Sequence, residues 1–190
     1  MTSKKISISR YNYLIISILT LQNLSAQVSN QATLARISEA EIQLQEKYME
    51  GIVSINIGKM DAAAKAFQTV LDKNPKCDGC FFQLSRIASI TGESQKALDF
   101  AKKAAAIDDR NKWYKMALAE AYEKQGKDRE AADIYRFLTE SAPFGGDFND
   151  EIYFRLAYSH VRMAEPQKAI KVLDDLEKKQ ASRKIFQLKK

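Results

Sequence analysis

Three glycines stand 34 residues apart, Gly58, Gly92 and Gly126, and each is followed five positions later by an alanine: Ala63, Ala97 and Ala131. Self-similarity at a fixed period of this size is the signature of a repeat architecture, in which each unit rests on its neighbours and not on one central core. Four residues beyond the alanines come Phe67, Ala101 and Tyr135, so a second packing position keeps the same phase. Pro75 and Pro143 lie 68 residues apart, two periods, with Asp109 at the same place in the unit between them. A proline disfavours helical backbone at the residue before it, so this phase predicts a helix end.

Composition decides what the units are made of. Only 7 glycines and 3 prolines punctuate 190 residues, too few for the frequent turns of an all-β chain. Strong helix formers, Ala, Lys, Glu, Gln and Leu, are abundant. At 45% hydrophobic and 28% charged, the chain is too apolar for intrinsic disorder. Its mean hydropathy of -0.38 is too polar for a polytopic membrane protein. Leu84, Ile87 and Ala88 on one helix stripe face Ala97, Phe100 and Ala101 on the next. One such pair cannot remove both stripes from water, whereas stacked pairs can. Alanine or glycine at the crossing points lets helix axes approach to roughly 8–10 Å.

This pattern resembles the tetratricopeptide repeat, a 34-residue unit of two antiparallel helices. The resemblance implies an all-α, right-handed solenoid with a concave surface lined by first helices. In that phase the units run over 44–77, 78–111, 112–145 and, after four extra residues, 150–183. The small eighth position is held by Gly51, Ser85, Ala119 and Ala157. The fourth unit keeps Tyr153, Leu156, Ala169 and Leu173 in register, but Ala164 replaces the turn glycine and Pro166 opens its second helix, a first-turn position that tolerates proline. Ahead of the array, residues 27–43 carry Leu34, Ile37 and Ala40 on one helical face, as expected of a capping helix. Residues 184–190 form a basic tail or a truncated helix, and an array that ends soon after its fourth unit fits the first part of a longer repeat protein.

The N-terminus reads as an export signal. Lys4, Lys5 and Arg10 precede the apolar run Leu14–Leu21 and a small-residue exit, Leu24-Ser25-Ala26-Gln27, which places cleavage after Ala26. The run is shorter than the about 20 residues needed to cross a bilayer. Removing 26 of the 190 residues leaves 164 and, with those three cations gone, takes the net charge from +6 to +3. So weak and dispersed a charge gives no face for nucleic acid. The serine-alanine-glutamine exit resembles those of Bacteroidota envelope proteins, which implies a periplasmic or envelope location.

Residues that could carry chemistry are few. Cys77 and Cys80 form CDGC where the second unit's first helix begins, a setting that favours a thiolate. A local disulfide, an incidental buried pair and a thiol-exchange centre all remain open for them. A zinc site wants four ligands, and beyond the two cysteines the only other soft ligand, His160, falls at a core position of its unit. With no nucleophile triad, phosphate loop or paired-carboxylate motif, neither an enzyme nor a cofactor, metal or small-molecule substrate is expected.

In the family, the second, fifth, sixth, ninth, twelfth and thirteenth positions of each first helix face the groove. Carried over, the first unit presents Tyr48, Met49, Ile52 and Asn56, and the second Phe82, Gln83 and Arg86. The third presents Trp113, Met116, Glu120 and Lys124, and the fourth Phe154, Arg155, Tyr158 and Arg162. Trp113 stands two places earlier than the family's usual tryptophan. Aromatic and arginine side chains of this kind suit a peptide. The expected function is a non-enzymatic scaffold of the cell envelope that binds a peptide or protein segment. The alternatives are thiol-disulfide exchange at Cys77 and Cys80, or a structural spacer of a longer repeat protein.

Overall fold

The computed structural model describes residues 39–140 and 149–188. The signal segment expected over 1–26, most of the capping helix expected over 27–43, the connection carrying Pro143 to Phe148, and residues 189–190 lie outside the described residues. The chain divides into two units, 1–46 and 47–190. In the first, residues 39–46 are described and are helical. All packing below lies within the second.

Among the described residues there are eight helices and no strand. They are α1 (39–56), α2 (Met60–Lys73), α3 (Asp78–Ile90), α4 (Ser94–Ile107), α5 (Lys112–Lys124), α6 (Asp128–Glu140), α7 (Asn149–Arg162) and α8 (Pro166–Leu188). From α2 onward each helix packs on the next, and α3 also touches α5, the connectivity of a helical solenoid.

Helix starts follow local chemistry. Asn111 accepts the Trp113 backbone N–H at 3.0 Å and so satisfies one of the free amides at the start of α5. Asp128 and Glu130 in α6, and Asp150 and Glu151 in α7, put negative charge in the first turn, against the positive end of the helix dipole. The bend inside each pair is the same structure four times. The backbone N–H of Lys59 donates to Ser54, Glu93 to Ala88, Lys127 to Tyr122 and Glu165 to His160, at 2.8–3.0 Å. This six-to-one bond requires a left-handed residue just before its donor. Gly58, Gly92 and Gly126 supply it with φ of 78°, 83° and 71°, and Ala164 supplies it with φ 57° in spite of its methyl group.

The alanines five places after the bend, Ala63, Ala97 and Ala131, are completely buried, and Ala169 nearly so. At the other crossing position, a Cβ added to Gly51 would lie 2.7 Å from the ring of buried Phe67, so α1 and α2 meet here only because position 51 has no side chain. Ser85, Ala119 and Ala157 occupy the equivalent place and are buried. The Ser85 hydroxyl donates to the Ala97 carbonyl at 2.9 Å, which resolves its own burial and ties α3 to α4.

Two features depart from a uniform series. Phe67, Ala101 and Tyr135 are fully buried, whereas the equivalent Leu173 is 40% exposed and lies near exposed Ile170 on α8. Residues 184–188, expected as a basic tail or a truncated helix, continue α8. No glycine or proline follows Pro166 to stop α8, which runs unbroken to Leu188. His160 is buried in α7, with Nδ1 at 2.8 Å from the Glu165 carboxylate, which stands just past the bend.

Candidate binding groove

The first helices of the pairs, α1, α3, α5 and α7, share one side of the array. An open cavity of about 700 Å³ on that side takes wall residues from all four. Tyr48 comes from α1, Phe82, Gln83 and Arg86 from α3, Trp113, Tyr114, Met116 and Glu120 from α5, and Glu151 from α7. The helical repeat brings them together, since side chains three and four residues apart project from one face.

Aromatic rings dominate the larger cavity. Phe82 and Tyr114 lie with centroids 5.2 Å apart, and Tyr48 meets Phe67 edge-on at 5.3 Å. The Arg86 guanidinium sits 5.8 Å from the Phe82 centroid and donates to the Gln83 side-chain oxygen at 2.9 Å. Tyr114 donates its hydroxyl to Asp78 at 3.2 Å, linking α5 to α3. Burial, then the Asp78 carboxylate, push the Tyr114 pKa up to about 12, so the ring stays neutral.

A second, shallower basin of about 420 Å³ follows along the same side, lined by Glu123, Lys124, Phe154, Arg155, Tyr158 and Arg162. Its cations have partners within the chain. Arg162 Nε lies 3.0 Å from Asp128, Lys124 Nζ donates to the Ser89 carbonyl at 2.8 Å, and Arg155 contacts Glu120, Glu123 and Glu151 at 2.9–3.2 Å. Burial opposes the charge on Arg155, and these carboxylates, Glu120 foremost, more than restore it and hold its pKa above the usual arginine value. Phe154 and Tyr158 are exposed.

The residues expected in the groove thus separate into three sets. Tyr48, Phe82, Gln83, Arg86, Trp113, Met116 and Glu120 line the larger cavity. Lys124, Phe154, Arg155, Tyr158 and Arg162 line the second basin. Met49, Ile52 and Asn56 line neither. Gln83 and Met116 are buried, so they form wall and offer little reach. Arg155, expected to fork onto a ligand, is committed to three carboxylates of its own chain.

Sequence reading passed over Gly79, Asn111, Tyr114, Ala117 and Glu151, all on the larger cavity. Gly79 and Glu151 occupy the second position of their units and Ala117 the sixth, so the same register would have found them. Asn111 and Tyr114 stand outside that register, and only the packing reveals them. Cys77 and Cys80 form a disulfide at the start of α3, with Cys80 buried and the Cys77 sulfur accepting the Cys80 backbone N–H at 3.2 Å. Among the described residues no three His, Cys, Asp or Glu side chains gather as a metal set. None of the described helices is long and apolar enough to cross a membrane.

A family model of the tetratricopeptide repeat matches residues 48–112, and a second of the same description matches 116–137. Over these residues the chain is built of tetratricopeptide repeats. Solved structures of the same fold include MamA from Desulfovibrio magneticus, with a TM-score of 0.65 at 16% identity over 73% of this chain and 76% of that one. A thermophilic TPR protein of Thermus thermophilus gives 0.54 at 21% over 69% and 71%. YrrB, a TPR protein with an unusual peptide-binding site, gives 0.61 at 16% over 69% and 66%. At these identities the likeness is one of fold. No curated protein matches the sequence significantly.

Proposed function

We propose that this tetratricopeptide-repeat chain is a non-enzymatic interaction scaffold, exported to the cell envelope, that holds a peptide or protein segment on the side lined by α1, α3, α5 and α7. The general role, a scaffold for protein interactions, goes with the repeat family. The observation that carries the finer reading is the larger cavity, where four helices from four successive pairs line one concavity and the first three supply its aromatic rings. Aromatic and arginine side chains gathered in one concavity are the usual anchors of a protein contact. The peptide-binding site of YrrB lends support, because that protein shares the fold. Export rests on the basic start, apolar run and small-residue exit of the first 26 residues.

Affinity capture from an envelope fraction, comparing the natural chain with one carrying Phe82→Ala, Arg86→Ala and Tyr158→Ala together, tests the groove. Loss of partners with retained helicity is the expected result, and an unchanged partner set would leave a spacer role in place of groove binding. Fractionation with N-terminal sequencing tests export, with Gln27 expected as the first residue. Thiol-disulfide exchange is the second reading, favoured by a disulfide at a helix N-terminus whose Cys77 is partly exposed. A bridge that resists reduction in the folded chain would remove it.

A further inference from the structure

The larger cavity has an acidic end. One guanidinium, that of Arg155, is shared among Glu120 at 3.1 Å, Glu123 at 3.2 Å and Glu151 at 2.9 Å. Arg155 is the one cation in contact with the three carboxylates, and with Lys124 acting on Glu120 without an ion pair the cluster stays net negative in a partly desolvated place, where Coulomb interactions exceed their strength in water. Glu120 shows the deficit. Burial first, then Glu123 and Glu151, raise its pKa above the ordinary carboxylate value although Arg155 and Lys124 act the other way. Two of the three carboxylates, Glu120 and Glu151, stand on the cavity wall, whereas Glu123 and Arg155 line the adjoining basin.

The neighbouring cations of the groove keep their charge but are bonded to neutral partners rather than to these carboxylates. Arg86, one repeat earlier on the neighbouring helix, is bonded to Gln83 and lies over Phe82. Lys124 donates to the Ser89 carbonyl. Two rings of the cavity wall already take a cation on one face, since Lys112 stands 5.3 Å over Trp113 and Arg86 5.8 Å over Phe82. An acidic or phosphorylated segment would meet repulsion at Glu120 and Glu151, and a purely apolar one would desolvate them without compensation.

Resting on the groove reading above, we infer that the occupant of the larger cavity is a protein segment that presents a lysine or arginine side chain to Glu120 and Glu151. An apolar or aromatic residue next to that cation lies on Phe82 and Tyr114. Arg86, on the neighbouring helix α3, gives one N–H to Gln83 and has others that donate to a carbonyl or carboxylate of the same segment, so the opposed charges also fix the direction in which the segment lies.

The test is selection from a random displayed peptide library on the full chain, followed by titration of the best peptide. Selected peptides are expected to be rich in Lys or Arg beside an aromatic or aliphatic residue. Glu120→Gln should weaken the best peptide about tenfold, as should replacing its cation by norleucine, and the two changes together should cost little more than either alone. Arg155 keeps Glu123 and Glu151 in that variant, and an unchanged circular dichroism melt verifies the fold. Peptides that depend on Phe82 but lack a cation, or are indifferent to Glu120→Gln, overturn the inference and leave the groove standing. If no peptide depends on Phe82, the groove reading falls and this inference with it.

Discussion

Ala164 is the one non-glycine residue with positive φ among the described residues, and it occupies the bend that glycine occupies in the other three pairs. The methyl group makes this left-handed conformation cost about 1–2 kcal/mol. Ala164→Gly relieves that cost but frees the unfolded chain, which returns about 0.4–1 kcal/mol. The net expectation is stabilisation by about 0.5–1 kcal/mol, with the six-to-one bond from Glu165 to His160 kept. Gly92→Ala runs the same exchange in reverse. An added Cβ at Gly92 meets no atom within 4 Å, so no clash contributes and the net loss of about 0.5–1 kcal/mol is backbone strain less the entropy removed from the unfolded chain. For a chain of this size, thermal melts by circular dichroism should move up by about 2–3 °C for the first variant and down by a similar amount for the second. Hydrogen exchange resolves the effect locally, with slower exchange expected at the start of α8 in Ala164→Gly. A stabilised Gly92→Ala, or a destabilised Ala164→Gly, would refute the assignment of the bends.

Gly51→Val should cost about 1–3 kcal/mol in urea unfolding, because its Cβ lands 2.7 Å from a Phe67 ring that is fully buried and cannot withdraw. Arg155→Met should cost about 2 kcal/mol at neutral pH by leaving three carboxylates without their shared cation, and the loss should shrink in acid as they protonate. Glu165 has a folded-state pKa below its ordinary 4.5, held down by its bonds to Lys168 and His160. Its contribution is therefore present above about pH 4.5 and disappears as pH falls through the depressed value. Denaturant midpoints of wild type and Glu165→Gln should differ at about pH 6 and converge in acid, once the pH lies below the depressed value.

What was legible in the sequence is what local backbone chemistry repeats. Gly58, Gly92 and Gly126 mark bends because only a left-handed residue closes them, and Ala63, Ala97 and Ala131 mark crossings because nothing larger fits, so both recur at 34. The groove was legible as a face but not as a set of available groups. Register alone offers Arg155 and Arg162 to a ligand, whereas Arg155 is held by carboxylates from α5 and α7 and Arg162 by Asp128 at the start of α6. Glu120 lies 35 residues before Arg155, and Asp128 lies 34 before Arg162, separations that single-helix periodicity does not address. Tyr114 shows the same limit, since its place on the wall depends on Asp78 of the preceding unit.

Each pair is closed at its bend by main-chain amides, so the hinge asks for one permissive residue and is indifferent to the side chains around it. A gene that copies such a segment in tandem inherits a working fold at the new junctions, provided the small crossing residues are copied too. The inward-facing positions stay free to diverge. Growth of the array and change of what it grips can therefore proceed as separate evolutionary events.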